Sequence, residues 1–293
     1  MSTASAGEAV GAPLKGEPPF LRVAGVDFTS RPRRAKPVTV ALGRRVGREV
    51  ALERIEAHVD YAAVVRWLRT PGPWGAAFDF PFGLPREAVE ALGWPRDWRA
   101  LVDFYCALSR DEIRSTFAAF CAARPAGRKF AHRACDAPAG SSSPMKWVNP
   151  PVAYMLHAGV PLLLEAGVHL PHLHPGDTAR VALEGYPGLL ARELIGRRSY
   201  KHDARSGDTA ERRAARADLV TALEQGRGRL GLALVVEGVQ RAELVADPTA
   251  DRLDAVLCLV QAAWAADRPR HGLPEAADPL EGWIVSAEPA NRD

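Results

Sequence analysis

Short apolar segments separated by turns dominate the first third of the chain. A largely apolar run over residues 20–28 predicts a buried strand, and the more alternating segments 37–42 and 50–57 predict two further strands. Helical spacing of apolar positions predicts a helix over 61–68, and the apolar run 75–82 predicts a second buried strand. The resulting order is β-β-β-α-β, in which the helix returns the chain so that the next strand can run parallel.

The middle of the chain departs from this pattern. Residues 97–123 are rich in aromatic side chains and predict one or two helices, and 150–158 predicts another. Between them, residues 124–145 form a basic segment rich in Gly, Ser and Pro, which indicates a loop. We interpret 86–175 as a helical insertion within a single domain that spans 20–287.

Strands and helices alternate again in the last third of the chain. Of its three predicted helices, the first begins at a proline, the second has a charged amphipathic pattern and the third is largely apolar. The predicted strands are 178–186, 230–236 and 282–287, and the predicted helices are 187–195, 208–225 and 249–266. This arrangement is typical of an α/β protein with a mixed sheet flanked by helices.

Composition and charge restrict the class of protein without selecting one. The chain has 293 residues, a net charge of +3 and a sequence pI of about 8.8, which permits a nucleic-acid partner without requiring one. No apolar run reaches the roughly 18 residues of a membrane span. Four cysteines without C-x-x-C spacing indicate buried free thiols, so we expect a cytoplasmic protein. Residues 1–19 and 288–293 are predicted to be tails, the first of them disordered.

Acidic side chains interrupt the apolar elements. Asp27, Asp79 and Glu184 lie in or at the end of apolar strands, and Asp251 and Asp254 share one face at the start of the last helix. A charge in such a run is costly to bury unless it is paired or binds a cation. Because strand ends can direct side chains into one cleft, we predict a Mg²⁺ or Mn²⁺ site there.

Each carboxylate also has a purely structural interpretation. Asp79, in Phe-Asp-Phe-Pro, is of a type that hydrogen-bonds to a following loop. Asp251 is suited to cap the last helix. Glu184 could pair with an arginine. The hypothesis of a metal site therefore rests on the four positions Asp27, Asp79, Glu184 and Asp254 taken together.

Four strings carry a resemblance to a known family. They are GVDFTS (25–30), FDFPFGLP (78–85), EGYPGLLARELIG (184–196) followed by SYK (199–201), and DRLDAVLC (251–258). Over most of residues 20–287 the chain resembles the domain-of-unknown-function family 429 (DUF429), a group of predicted RNase H-like nucleases. The Asp-x-x-Asp pair also resembles the helix pair of RuvC-type Holliday-junction resolvases.

This resemblance implies an RNase H-like mixed five-stranded sheet, flanked by helices, and a nuclease acting on DNA or RNA. It implies that Asp27 is the metal ligand of the first strand, Asp79 the carboxylate of the fourth, Glu184 that of the next strand and Asp254 the ligand on the helix, supported by Asp251. Two divalent ions about 4 Å apart would activate water and stabilise the leaving oxygen of a phosphodiester. We expect the first four of these residues to be catalytic.

Several other side chains are candidates for substrate or metal binding. Lys146 and Arg133, in or beside the basic loop, could contact phosphates, although a solvated loop explains them equally well. Lys201 could neutralise phosphate charge near the metal, or lie on the surface. Trp147 could stack on a base, but a core position is the commoner role. The motif His169-x-x-His172-x-His174 indicates either a zinc site that lacks a fourth ligand or an exposed loop.

Two other functions remain open from the sequence. Asp27-Phe28-Thr29-Ser30 faintly resembles the first phosphate loop of the sugar-kinase and actin superfamily, a group of phosphotransferases and ATPases, although Phe28 occupies a position where that loop needs glycine. The other alternative is a non-catalytic binding protein on an RNase H-like fold. The sequence also leaves open whether the protein forms a homodimer.

Overall fold

The computed structural model describes residues 21–202 and 204–289, which fold around one mixed β-sheet. The predicted N-terminal tail lies outside the described residues, as do positions 290–293 of the predicted C-terminal tail. Within the described ranges no helix combines the length and apolar character needed to cross a membrane. The four cysteines are free thiols, three of them buried, as predicted.

The sheet carries the antiparallel meander and the parallel crossover that the sequence predicted. The strands of the described residues are β1 (Arg22–Asp27), β2 (Val38–Val46), β3 (Glu49–His58), β4 (Trp74–Phe78), β5 (Val168–His169), β6 (Asp177–Glu184) and β7 (Ala233–Val235). They lie in the order β5-β6-β4-β1-β2-β3-β7. β1, β2 and β3 are antiparallel neighbours, whereas β4 runs parallel to β1, β6 to β4, β5 to β6 and β7 to β3.

Helices cover both faces of the sheet. The α-helices of the described residues are α1 (Tyr61–Leu68), α2 (Arg86–Ala91), α3 (Trp98–Ala107), α4 (Arg110–Ala122), α5 (Asp136–Ala139), α6 (Val152–Ala166), α7 (Pro187–Ile195), α8 (Ala210–Glu224), α9 (Gly238–Ala246) and α10 (Asp251–Ala265). Short 3₁₀ turns occupy Arg205–Gly207 and Pro269–Gly272. Side-chain caps fix several helix starts: Asp60 accepts a hydrogen bond from the Ala63 amide at α1, and Ser109 forms a capping box with Glu112 at α4.

Strand alternation divides the core into two apolar layers. Val26 of β1 and Phe78 of β4 pack with α1 and with α3, α4 and α6 of the insertion. Val23 and Ala77 point to the opposite face, where α7, α8 and α10 pack. The insertion therefore forms, together with α1, one of the two layers that bury the sheet.

Helix α10 lies directly on β1 because Gly25 has no side chain. A Cβ added at Gly25 would lie 2.0 Å from the Ala255 carbonyl oxygen and 2.0 Å from the Leu259 amide nitrogen. No side-chain rotation can relieve contacts with the helix backbone. Gly25 therefore sets the distance between β1 and α10, and with it the distance between Asp27 and the first turn of α10.

We expect the substitution Gly25→Ala to destabilise the protein by about 1–3 kcal/mol, the usual cost of overpacking a core. The helix must move away from β1, which also separates the acidic groups at the sheet edge. Urea unfolding would measure the change. Gly238→Ala is the matched control, because a Cβ at that position meets nothing within 4 Å; equal stability of the two variants would contradict this account.

The expectation of an α/β protein with a mixed sheet flanked by helices is confirmed. The sheet has seven strands among the described residues rather than five, because two short strands, β5 and β7, extend its edges. The predicted strand over 282–287 is wrong: only Ile284 bridges to Glu184, and positive φ angles at Gly282 (73°) and Ser286 (70°) interrupt the extended backbone.

Candidate functional site

Asp27 and Asp79 lie side by side at one edge of the sheet. Asp27 is the last residue of β1, and Asp79 directly follows β4. Val26 pairs with Phe78, and the Asp79 amide donates a hydrogen bond to the Val26 carbonyl oxygen at 2.9 Å. Because Val26 and Phe78 point into the insertion layer, alternation directs the two carboxylates to the face covered by α10.

The first turn of α10 adds two more carboxylates to this edge. Asp254 is 1 % exposed, and both of its oxygens are occupied: Tyr200 Oη donates to Oδ1 at 2.7 Å and Lys201 Nζ to Oδ2 at 2.5 Å. Asp251 is partly buried, with Lys36 Nζ at 4.0 Å from its Oδ1. Both lie close enough to Asp27 to raise the pKa of its carboxyl.

Glu184 ends β6 at the same edge but points to the other face of the sheet. It pairs in register with Phe78, and neighbouring partners in a sheet share a face. There Arg133 donates two hydrogen bonds to Glu184, from Nη2 to Oε1 at 2.6 Å and from Nη1 to Oε2 at 2.8 Å. The Phe82 amide also donates to Oε2, at 3.0 Å. Arg133 also bonds Asp136 and is 3 % exposed. The structural alternative, in which Glu184 pairs with an arginine, describes what is observed.

Burial and repulsion by neighbouring carboxylates raise the pKa values of Asp27 and Asp79. The pKa of Asp27 is raised well above its ordinary value by burial and then by Asp251, Asp254 and Asp79. Burial raises the pKa of Asp79 to about 7, against the attraction of Lys201. Within the described part of the chain, no donor forms a hydrogen bond or ion pair with either carboxylate. Lys201 therefore attracts the pair from a distance, and no cation contacts either carboxylate directly among the described residues.

We expect the metal-free protein to lose stability as pH rises from about 4 to about 7 because of Asp79. Its pKa is 3.8 when unfolded and about 7 when folded, so the folded state holds the proton more tightly over this interval. The stability contribution is complete below the unfolded pKa and disappears above the folded one. A full shift would correspond to about 1.36 kcal/mol of stability for each pKa unit. Because water reaches the Asp79 carboxylate, we expect a smaller total loss, on the order of 2 kcal/mol. Denaturant unfolding at a series of pH values, with Asp79→Asn as the comparison, would show a smaller pH dependence in the variant; parallel curves would contradict it.

A cleft of about 1040 Å³ opens above this edge. Asp27, Asp79 and Glu184 line it together with cationic and apolar side chains. The cationic lining residues are Lys36, Arg133, Arg192, Arg197, Arg198 and Lys201. The apolar wall includes Pro150, Pro151, Val152 and Met155 of the insertion. A negatively charged floor thus lies beneath a positively charged rim.

The donor set fits a divalent cation at Asp27 and Asp79. Hard carboxylate oxygens without hydrogen-bond partners are the ligands that Mg²⁺ and Mn²⁺ prefer, and magnesium retains waters at its other positions. No group of three His, Cys, Asp or Glu side chains in the described ranges forms a ready-made metal cage. Asp254 already pairs with Lys201 and Glu184 with Arg133, so these two carboxylates do not complete such a group.

The predicted substrate-binding residues have different positions. Lys201 lines the cleft, whereas Lys146 is absent from its lining. Arg133 also borders the cleft, but its guanidinium is buried and holds Glu184 and Asp136, so the predicted contact with phosphate is replaced by an internal ion pair. Trp147 packs against Phe130 and the core, its commoner role.

The three histidines of the H-x-x-H-x-H motif do not form a metal-binding group with other side chains of the described residues. His169 Nδ1 accepts a hydrogen bond from the Gly176 amide at 3.4 Å. The His174 ring packs against Trp98 in a tilted arrangement, with ring centroids 5.8 Å apart. The zinc hypothesis therefore gains no support.

Sequence reasoning missed Tyr200 and Lys36 as site residues. Tyr200 is 8 % exposed and donates to Asp254. Its signal was available, because it precedes Lys201 in the quoted string SYK. Lys36, beside Asp251, offered no signal distinct from its basic neighbours in the segment 31–36.

Comparison with protein-family models, with curated proteins and with solved structures gives no match to this chain. Membership of DUF429 therefore stays a prediction that rests on the quoted strings. What the protein does has to be inferred from the cleft and its side chains.

Proposed function

We propose that this protein is a divalent-metal-dependent nuclease that hydrolyses phosphodiester bonds of DNA or RNA. One observation carries the proposal: Asp27, which is buried, and Asp79, which is partly buried, lie adjacent on the floor of a cleft, and neither carboxylate has a hydrogen-bond or ion-pair partner among the described residues. Two like charges in such a place are unfavourable unless a cation joins them. The free energy that this arrangement costs is recovered when a divalent ion binds.

The rim of the cleft supports a polyanionic substrate. Lys36 and Lys201 lie beside the carboxylates, and the exposed side chains of Arg197 and Arg198 line the opening. Cationic side chains around a metal floor position phosphate oxygens and neutralise charge that develops on them. An acidic floor without such a rim would favour simple cation storage.

The topology supports the RNase H-like fold that the resemblance implies. The antiparallel meander β1-β2-β3 is followed through α1 by β4, which is parallel to β1, and β6 continues the parallel set. The carboxylates lie at the carboxyl ends of β1 and β4, where open α/β sheets bind ligands. This likeness of fold is an analogy for function, and the side chains of the cleft carry the proposal.

Asp27 and Asp79 would hold the cation, whose chemistry is to activate water and stabilise charge on the phosphoryl group. Lys201 and Lys36 would bind phosphate oxygens. Asp79, with a pKa of about 7, holds a proton for part of the time at neutral pH and must release it when a cation binds. Metal affinity should therefore increase as pH rises through 7.

A manganese titration followed by thermal unfolding tests the proposal directly. A ligand that binds only the folded state raises the apparent Tm with its concentration. The wild type should be stabilised by Mn²⁺, and it should cleave at least one substrate in a panel of single- and double-stranded DNA and RNA. Stabilisation without cleavage of any of these substrates would contradict the nuclease assignment.

One observation favours a second candidate, a non-catalytic binding protein. Two of the four predicted catalytic carboxylates are already neutralised by the chain itself, Asp254 by Lys201 and Glu184 by Arg133. Absence of any Mn²⁺-dependent rise in Tm would favour this candidate. The phosphotransferase alternative gains no such support, since Phe28 is buried against Phe80 with ring centroids 4.7 Å apart.

A further inference from the structure

Lys201 pairs with Asp254, the helix carboxylate that the sequence predicted as a metal ligand. Its Nζ lies 2.5 Å from Oδ2, and the Tyr200 hydroxyl fills Oδ1. Asp79 also contributes to the attraction of Lys201: although burial opposes the charged form, Asp254, Tyr200 and Asp79 raise its pKa well above the ordinary value. The ammonium thus faces the same acidic floor as the cleft.

The segment that presents Lys201 is held in place by a buried arginine. Arg216 is 0 % exposed and donates from Nη1 to the Tyr200 carbonyl oxygen at 3.0 Å and from Nε to the Val245 carbonyl oxygen at 2.8 Å. Asp208 neutralises it through two bonds of 2.9 Å. On the other side of Lys201, the His202 amide donates to the Pro248 carbonyl oxygen at 3.1 Å. Both flanking residues are therefore fixed, which orients Lys201 towards Asp254.

Asp27 and Asp79 have the opposite character. Asp27 is 8 % exposed, points into the acidic cluster and, within the described ranges, accepts no hydrogen bond. The chain thus places an ammonium directly on Asp254, whereas Asp27 and Asp79 receive only longer-range attraction from Lys201 and form no ion pair among the described residues. A divalent ion at Oδ2 of Asp254 would compete with this ammonium for the carboxylate and would be repelled by its positive charge.

We propose that Lys201 is the built-in second cation of this site, so that the protein binds one divalent ion, at Asp27 and Asp79, where the two-ion arrangement binds two. The proposal rests on the proposed function and specifies its metal content. The ammonium carries one charge and three donors, so it can neutralise Asp254 and still donate to a phosphate oxygen of the substrate. Lys201 is then a substrate-contacting residue as well as a replacement for metal.

The number of bound ions tests this proposal. Free Mn²⁺ measured by electron paramagnetic resonance, with calorimetry in parallel, would give the stoichiometry for the wild type, Lys201→Met and Lys201→Arg. Lys129→Met is the matched control, because Lys129 is exposed and does not line the cleft. We expect one ion per chain in the wild type, in Lys201→Arg and in the control, and two in Lys201→Met, where Asp254 becomes free.

Cleavage gives a second readout that a merely structural lysine would not change. At low Mn²⁺, Lys201→Met should cleave about 10–100-fold more slowly than the wild type, and high Mn²⁺ should restore much of the rate as an ion takes the place of the ammonium. The control should behave as the wild type at every concentration. Circular dichroism and Tm would establish that each variant is folded.

The outcomes separate this inference from the proposed function. Two ions in the wild type, together with cleavage, would overturn the inference and leave the nuclease assignment intact. One ion in both the wild type and folded Lys201→Met would likewise overturn it. One ion in the wild type and two in Lys201→Met, without cleavage of any substrate, would support the ion count and overturn the nuclease assignment. If Lys201→Met does not fold, the wild-type count still decides, since the inference requires one ion.

Discussion

Asp27→Asn is expected to reduce Mn²⁺-dependent cleavage at least about 100-fold, because weakening metal stabilisation of the transition state by several kcal/mol costs about tenfold per 1.36 kcal/mol. The same variant should lose the Mn²⁺-dependent rise in Tm. Without metal it should be more stable than the wild type near neutral pH, since the substitution removes a buried charge repelled by Asp79, Asp251 and Asp254. Steady-state cleavage and thermal unfolding with and without Mn²⁺ would measure all three effects.

The control for this prediction is Asp103→Asn. Asp103 pairs with Arg99 on the exposed surface of α3, far in sequence from every residue of the cleft. It should leave cleavage and metal stabilisation unchanged. A comparable loss of cleavage in both variants, or a less stable Asp27→Asn without metal, would contradict the assignment of Asp27 as a ligand held under electrostatic strain.

Arg133→Met should destabilise the protein by about 3–5 kcal/mol, the usual result of removing one partner from a buried ion pair. Arg133 holds Glu184 and Asp136, which are 4 % and 0 % exposed, and its removal leaves two buried carboxylates without a cation. Methionine fills similar space, so loss of volume contributes little. Urea unfolding at neutral pH would measure the difference.

Arg99→Met provides the matched comparison for the arginine. Its ion pair with Asp103 is about half exposed on both sides, and such surface pairs contribute about 0–1 kcal/mol. Acidification should reduce the deficit of Arg133→Met, because burial raises the pKa of Glu184 and its protonation removes an unpaired charge. A deficit that is the same for both arginine variants would show that Arg133 is dispensable for the fold.

The sequence predicted individual elements well where periodicity and stop signals coincide. Helices α1 (Tyr61–Leu68) and α7 (Pro187–Ile195) have the predicted bounds, and the strands that carry Asp27 and Glu184 are present. The prediction failed at 282–287, where the apolar composition of a strand is combined with backbone angles that no strand adopts. Composition alone does not reveal those angles.

For the candidate site, the pattern identified the carboxylates but not which of them share a face. That depends on the register between β4 and β6, in which Glu184 is opposite Phe78 and so points away from Asp79. A shift of one residue would reverse this, and residue type does not specify it. The partners of Glu184 and Asp254 are likewise 51 and 53 positions away in sequence, so local patterns could not show that these carboxylates are already neutralised.

The segment 86–175 has a consequence for engineering this protein. It was predicted as an insertion, which suggests a module that could be removed or exchanged. Yet its α3, α4 and α6, together with α1, form one layer of the core, and Arg133 within the segment bonds both Glu184 at the end of β6 and the Glu281 carbonyl oxygen. Shortening it would expose an apolar sheet face. New specificity is therefore better sought by exchanging the residues at 149–152 that border the opening than by grafting the segment as a unit.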